Sequence, residues 1–113
     1  MHELVFTEEI LSLVLSYAER NKANKVTGIN LRIGEMTQVV DECIRFCFAS
    51  LSKGTIAEGA QIDVERLPLK VKCSNCNTIY QVKNLDFLCP LCSILNSDVV
   101  SGKELCLESI EVE

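Results

Sequence analysis

Apolar residues recur at helical spacing over residues 7–20, TEEILSLVLSYAER. Ile10, Val14, Tyr17 and Ala18 form one stripe, and Leu11 and Leu15 widen it. The spacing predicts an amphipathic helix with Thr7 as its N-cap and Glu8 and Glu9 at the positive end of its dipole. NKANK then breaks the pattern. Residues 26–33, VTGINLRI, alternate: Thr27, Ile29, Leu31 and Ile33 face one way, Gly28, Asn30 and Arg32 the other. That predicts a strand with one buried face, closed by Gly34. Helical spacing returns over 41–53, DECIRFCFASLSK, with Ile44, Cys47, Phe48 and Leu51 on one stripe. Asp41 is its expected N-cap, and Lys53–Gly54 its stop. Residues 60–65 alternate with Ala60, Ile62 and Val64 inward, and Pro68 interrupts. The final KELCLESIEVE reads as a strand whose phase slips from Leu105 and Leu107 to Ile110 and Val112, which predicts a bulge near Glu108–Ser109.

The element order is therefore α-β-α-β, an excursion, and β. The expected fold is α+β: a three-stranded sheet packed by two helices, with an inserted four-cysteine zinc-ribbon module. The expected boundaries are 1–68 plus 102–113 for the α/β domain and 69–101 for the module.

Composition narrows the picture. At 113 residues and 48% hydrophobic, the chain has the material for one core and a small satellite. A formal charge of −5 and a pI near 4.9 count against nucleic acid, which demands a basic face. No signal peptide is visible, and no apolar run approaches the ~20 residues of a membrane span, so membrane insertion is not expected and the chain reads as cytoplasmic. Seven cysteines in such a compartment point to metal ligands or reduced core residues rather than disulfides.

Four of the seven stand in CSNCNTIYQVKNLDFLCPLC. Cys73 and Cys76 form one C-x-x-C pair, Cys89 and Cys92 a second, with twelve residues between. Each C-x-x-C turn aims two sulfurs at one point, and two facing knuckles complete the tetrahedron that zinc takes at about 2.3 Å from sulfur. The segment TIYQV has the composition of a short hairpin between them, and Asn77 suits a left-handed turn position. CPLC also occurs in rubredoxin-like iron sites, and four thiolates alone do not exclude iron. Zinc on four thiolates would carry −2 and take the chain from −5 to about −7. Cys43 and Cys47, at i and i+4 of the second helix, are geometrically able to form a metal pair, but packing beside Phe46 and Phe48 is the expected role, as it is for Cys106.

The one histidine is His2. A terminal histidine is ordinarily just solvated. Yet as second residue it is expected to leave Met1 in place, and the chain end then offers an amine, two backbone nitrogens and an imidazole within a few residues. Nickel(II) and copper(II) favour such nitrogen-rich square-planar sets.

MHE at the start, INLRIGEM about thirty residues on, FCFASLSKGTIAEGAQIDVE, the doubled C-x-x-C and the final SGKELCLESIEVE resemble, together and in order, the nickel metallochaperones of hydrogenase maturation, the HypA/HybF family. The resemblance implies that His2 anchors Ni(II) as a transient cargo, that Glu3 joins it through its backbone nitrogen or its side chain beside the Met1 amine that the chain end offers, and that Cys73, Cys76, Cys89 and Cys92 hold structural Zn(II). It implies delivery to the large subunit of [NiFe]-hydrogenase, in some organisms also to urease, with a nickel-handling GTPase of the HypB type as partner. It implies no catalytic residues. Two positions depart from the pattern. Position 40, a carboxylate near the nickel in some members, is Val40 with the acid at Asp41; and Ser93 replaces the usual glycine after the last cysteine, which predicts a slightly different turn and intact zinc binding.

Three readings compete: nickel delivery, a zinc-ribbon protein-interaction module with His2 incidental, and a small iron–thiolate electron carrier. An enzyme is the poorest reading, since neither a nucleophile constellation nor a glycine-rich phosphate loop is present.

Overall fold

The computed structural model describes residues 3–113. The elements are α1 (Glu3–Arg20), β1 (Val26–Gly34), a 3-10 turn (Glu35–Thr37), α2 (Asp41–Leu51), β2 (Gln61–Leu67), β3 (Lys70–Lys72), β4 (Ile79–Gln81), β5 (Asp98–Ser101) and β6 (Leu105–Val112). The fold is α+β, with two three-stranded sheets ordered β2-β1-β6 and β4-β3-β5. The chain divides into two compact units. One comprises residues up to Arg32, Gln38–Glu65 and Cys106–Glu113; the other joins Ile33–Thr37 to Arg66–Leu105.

In the first unit, α1 buries Phe6, Thr7, Ile10, Val14 and Ala18, while α2 buries Ile44 and Phe48. Val26, Ile29, Leu31, Val39, Ala57 and Ile62 join them in the apolar interior. The two stripes and the alternation of β1 are thus the core faces. Helix α1 begins one turn before the expected start. Phe6 extends the stripe backward, and Thr7 is not an N-cap: it is buried inside the helix, its Oγ1 donating to Glu3 O at 2.6 Å. A threonine hydroxyl reaching back four residues is a mid-helix arrangement. Tyr17 leaves the stripe and stands 42% exposed under Arg20, whose guanidinium lies 5.5 Å from the ring centre.

Asp41 is likewise not a cap but the first residue of α2. Val40 occupies the N-cap with no side-chain cap of its own. The Val40 N–H donates instead to Glu3 Oε2 at 3.2 Å. A carboxylate reaching the N-cap amide is half of a capping box, supplied here from another helix. Helix α2 ends at Leu51 with Ser52 as its C-cap, two residues before the expected end, and Gly54, at φ +81, turns the chain beyond it. Along β6, Leu105, Leu107 and Ile110 are half-buried, so burial changes phase at the two residues where the slip was expected. Cys43 and Cys106 are exposed, Cys47 is half-buried, and Phe46 is 78% exposed, so the packing role expected of these cysteines fails.

In the second unit, Leu69, Val71 and Val82 form a small core flanked by Tyr80, Phe87 and Val99. TIYQV does contribute a strand, but it does not close a hairpin between the knuckles. It pairs back antiparallel onto β3, Val71 opposite Tyr80, so the hairpin wraps the first knuckle. The second knuckle is closed by a bridge between Leu88 and Leu95. Gly34 and Gly102 pass at close quarters: a Cβ on Gly34 would stand 2.0 Å from Gly102 O. Both positions therefore demand glycine.

Candidate metal centre

Each knuckle is built by the same local bonds. Cys73 N–H donates to Thr78 O at 2.9 Å and Asn77 N–H to Cys73 O at 2.9 Å; Cys89 N–H donates to Ile94 O at 2.9 Å and Ser93 N–H to Cys89 O at 2.8 Å. Both turns end in a left-handed residue, Asn77 at φ 63 and Ser93 at φ 58. Asparagine tolerates that region; serine holds it at a cost of about 1 kcal/mol. The second turn is therefore not a variant of the first, as Ser93 had suggested, but the same turn under strain.

The two turns bring Cys73, Cys76, Cys89 and Cys92 together, with all four sulfurs within 4.8 Å of one another. Cys76 Sγ and Cys89 Sγ are 3.7 Å apart. A tetrahedral ion bonded at about 2.3 Å sets its sulfurs about 3.8 Å apart, so the donor set fits zinc. Cys73 and Cys89 are buried, Cys92 is half-buried and Cys76 exposed.

The surroundings divide the thiols. Thr78 Oγ1 lies 3.2 Å from Cys76 Sγ, and this hydroxyl with the Thr78 backbone N–H lowers Cys76 to about 6. The Cys76 backbone N–H lowers Cys73 against the opposing effect of burial. The Asn75 amide, its Nδ2 3.3 Å from Cys92 Sγ, favours the Cys92 thiolate, but the hydrogen bond and charge of Cys76, with burial, outweigh it and push Cys92 up to about 11. Four sulfurs this close cannot all ionise without a cation among them. A divalent metal supplies that charge.

Behind the sulfurs stands Asn96, 6% exposed, which the sequence pattern did not single out. Its Oδ1 accepts from Ser74 N at 3.1 Å and Ser74 Oγ at 3.3 Å. Its Nδ2 donates to Ile94 O at 3.0 Å and Tyr80 Oη at 3.2 Å, and Tyr80 in turn donates to Phe87 O. One amide thus ties Ser74 of the first knuckle to Ile94 of the second.

Of the residues expected around nickel, Glu3 is the first of α1, with its carboxylate on the Val40 amide. Met1 and His2 lie outside the described residues. Among the described residues the four cysteines are the one group of three or more potential ligands gathered closely enough to hold a metal ion.

A family model described as hydrogenase/urease nickel incorporation, metallochaperone, hypA, matches residues 1–112. The hydrogenase maturation factor HypA of Dehalococcoides mccartyi strain CBDB1 is 42% identical over 113 residues, covering 100% of this chain and 95% of the relative. HypA of Aquifex aeolicus strain VF5 is 34% identical over 113 residues, covering 100% of this chain and 98% of its own. The solution structure of the Ni metallochaperone HypA from Helicobacter pylori is similar in fold, with a TM-score of 0.69 at 22% identity over 99% of this chain and 97% of that one. A second HypA solution structure gives 0.76 at 23% identity over 100% and 97%.

Proposed function

Because the chain belongs to the HypA family of hydrogenase and urease nickel-incorporation metallochaperones, maturation factors rather than enzymes, we propose that it binds Ni(II) at its N-terminus and hands it on during maturation of [NiFe]-hydrogenase. The observation that carries this reading is the full-length family match together with the sequence Met1-His2-Glu3. The His2 imidazole anchors the ion, and the Met1 amine and backbone nitrogens of His2 and Glu3 complete a nitrogen-rich square plane. The Glu3 carboxylate has a task of its own on the Val40 amide, which favours the Glu3 nitrogen over its side chain as donor. A nickel-handling GTPase of the HypB type and the hydrogenase large subunit, with urease in some organisms, are the proposed partners, and the cytoplasm the proposed compartment. Among the described residues no helix is long and apolar enough to cross a membrane.

In the proposed division of the chain, residues 1–68 plus 102–113 carry the cargo, while residues 69–101 carry a resident Zn(II) on Cys73, Cys76, Cys89 and Cys92. Zinc on four thiolates supplies folding free energy. Leu85, Leu88, Leu91 and Leu95 stand exposed in the zinc-binding segment, at 82%, 49%, 75% and 72%. They favour a docking role for that segment, and would serve equally a zinc-ribbon interaction module without nickel delivery.

Nickel titration of zinc-loaded protein beginning at Met1 separates the two. The expected result is one nickel bound with a planar-type absorbance band, lost in His2→Ala and lost when residues are added upstream of Met1. Because the imidazole binds as its neutral form, affinity falls as pH drops through about 6.5. Unchanged nickel affinity in His2→Ala would remove the N-terminal site and leave the interaction module as the better reading. A red protein as purified would point to iron in place of zinc.

A further inference from the structure

Arg45, Phe48 and Ala49 of α2 and its C-cap Ser52 fall at i, i+3, i+4 and i+7, and so share one face. Across from them run residues 59–63, the turn into β2 and the start of that strand. Between the two walls lies a recess of about 330 Å³, wholly within the first unit. Arg45 Nε and Nη2 both donate to Ile62 O, at 3.3 and 3.0 Å. Those bonds use one side edge of the guanidinium and fix its plane against β2. The end edge, Nη1 with the second hydrogen of Nη2, bonds to none of the described residues, and none of their carboxylates lies in ion-pair range of it. A guanidinium edge held rigid in this way is a fork for the two oxygens of a carboxylate. Asp63 is the one acidic residue of the lining. It follows buried Ile62 in the strand, so its side chain stands on the other, exposed face of the sheet.

Two helical turns from Arg45, Ser52 is fully buried, and its Oγ has no hydrogen-bond partner. A buried hydroxyl left unpaired is costly, and a ligand oxygen would satisfy it. Seven residues of α-helix set Arg45 and Ser52 about 10 Å apart along the axis. Phe48 and Ala49 give the stretch between them an apolar wall. A Cβ on Gly59, at φ +79, would meet nothing within 4 Å, so the opposite wall is open there. The recess is therefore cationic at one end, apolar in the middle and polar at the other.

We propose that this recess binds a small organic monocarboxylate. Its carboxylate pairs with the end edge of Arg45, its apolar body lies along Phe48 and Ala49, and an oxygen at its far end accepts from Ser52 Oγ. One guanidinium balances one negative charge, and the chain as a whole carries −5, so a monoanion suits the site better than a dianionic phosphate. The site is separate from the four-cysteine centre and shares no residue with the proposed N-terminal nickel site.

The probe is ω-hydroxyhexanoate, which has a carboxylate, an aliphatic body and a terminal hydroxyl. Zinc-loaded, isotope-labelled full chain would be titrated with it and followed by NMR at the backbone amides and the arginine Nε–H signals. The expected result is a saturable shift of Arg45 Nε–H and of amides in residues 59–61. Affinity should fall about tenfold or more in Arg45→Gln, and also in Arg45→Lys, which keeps the charge and loses the fork. Ser52→Ala should weaken the probe about 2- to 10-fold and leave plain hexanoate unchanged. Arg45 is exposed, so its variants should fold, which a thermal melt checks; should Arg45→Gln fail to fold, Arg45→Lys carries the test. Nickel titration of Arg45→Lys should match the unaltered protein, so this site and the nickel site can each fail with the other intact. Absence of a saturable shift in the millimolar range would overturn the proposal. So would equal shifts from hexanol, which would make the recess merely apolar, or from inorganic phosphate, which would make Arg45 an unselective cation. Undiminished affinity in Arg45→Lys would deny the fork and overturn it as well.

Discussion

Replacement of Asn96 by alanine tests how the metal centre is held. The side chain is 6% exposed and makes four hydrogen bonds, to Ser74 N, Ser74 Oγ, Ile94 O and Tyr80 Oη. Three of the partners have other recourse: the Ser74 hydroxyl turns to water, Tyr80 keeps its bond to Phe87 O, and the Ile94 carbonyl still accepts from Cys89 N–H at 2.9 Å. The Ser74 N–H loses its partner beside the sulfurs, and an orphaned polar group costs about 1–3 kcal/mol. The loss is therefore about 1–3 kcal/mol for the folded unit. Metal binding and folding of a small thiolate module are one equilibrium, so the loss appears in zinc affinity, at about tenfold per 1.4 kcal/mol. Asn96→Ala is thus expected to weaken zinc by about 5- to 150-fold, measured by competition against a chromophoric chelator at fixed pH. Asn96→Asp keeps the acceptor for Ser74 but loses the donor and adds charge near thiolates, and should also weaken binding. Zinc affinity within about twofold of the unaltered protein in Asn96→Ala, with the thermal midpoint unmoved, would refute the assignment of Asn96 as the clamp.

Ser93→Gly relieves the left-handed strain at φ 58 while adding chain entropy to the unfolded state, a net gain of about 0.5–1 kcal/mol, so the chelator competition should show zinc about 2- to 5-fold tighter; a weaker site would deny the strain. Because the module folds as it takes up zinc, its metal-free thiols are protonated at pH 7 and zinc should release four protons there, counted by calorimetry in buffers of differing ionisation enthalpy. The sign for stability follows: a depressed thiol favours the folded unit above its unfolded value of about 9, and that contribution is lost as pH falls through 6. Three or fewer released at pH 7 would mean that the metal-free knuckles already hold this geometry, with Cys76, lowered to about 6 by Thr78, ionised beforehand. Glu3→Ala removes the acceptor on the Val40 amide and should lower the thermal stability by about 0.5–2 kcal/mol, with zinc affinity unchanged; an unmoved melting temperature would contradict the cap.

The helical stripes, the alternation of β1 and the four-cysteine cluster were legible in the sequence because each is written at short range. A buried face repeats every 3.6 or 2 residues, and a knuckle is four residues and a turn. The second sheet was not, because β3 and β4 have three residues each and β5 four, too few for a period to show. Nor was Asn96: an asparagine after Ile94 and Leu95 looks like a loop residue, and its partners Ser74 and Tyr80 lie 22 and 16 positions away. Cys43, Cys47 and Phe46 misled in the opposite direction, because apolar composition near a stripe does not by itself mean burial. Only Ile44 and Phe48 of α2 are fully buried, so the interior takes a narrower strip than the composition offers.

The two helix starts show where pattern reading fails and why. Thr7 and Asp41 both have the chemistry of caps, and neither caps. Phe6 is buried at 6% exposure, so α1 gains another turn of core by starting earlier, and that burial outweighs the one hydrogen bond a Thr7 cap would make. Once α1 begins at Glu3, the Glu3 carboxylate reaches Val40, and α2 then begins one residue before Asp41 could cap it. The residue that follows His2 in sequence is therefore fixed to a helix start 37 positions away. A change at Glu3 should disturb both helix starts before it alters any donor of the proposed nickel site.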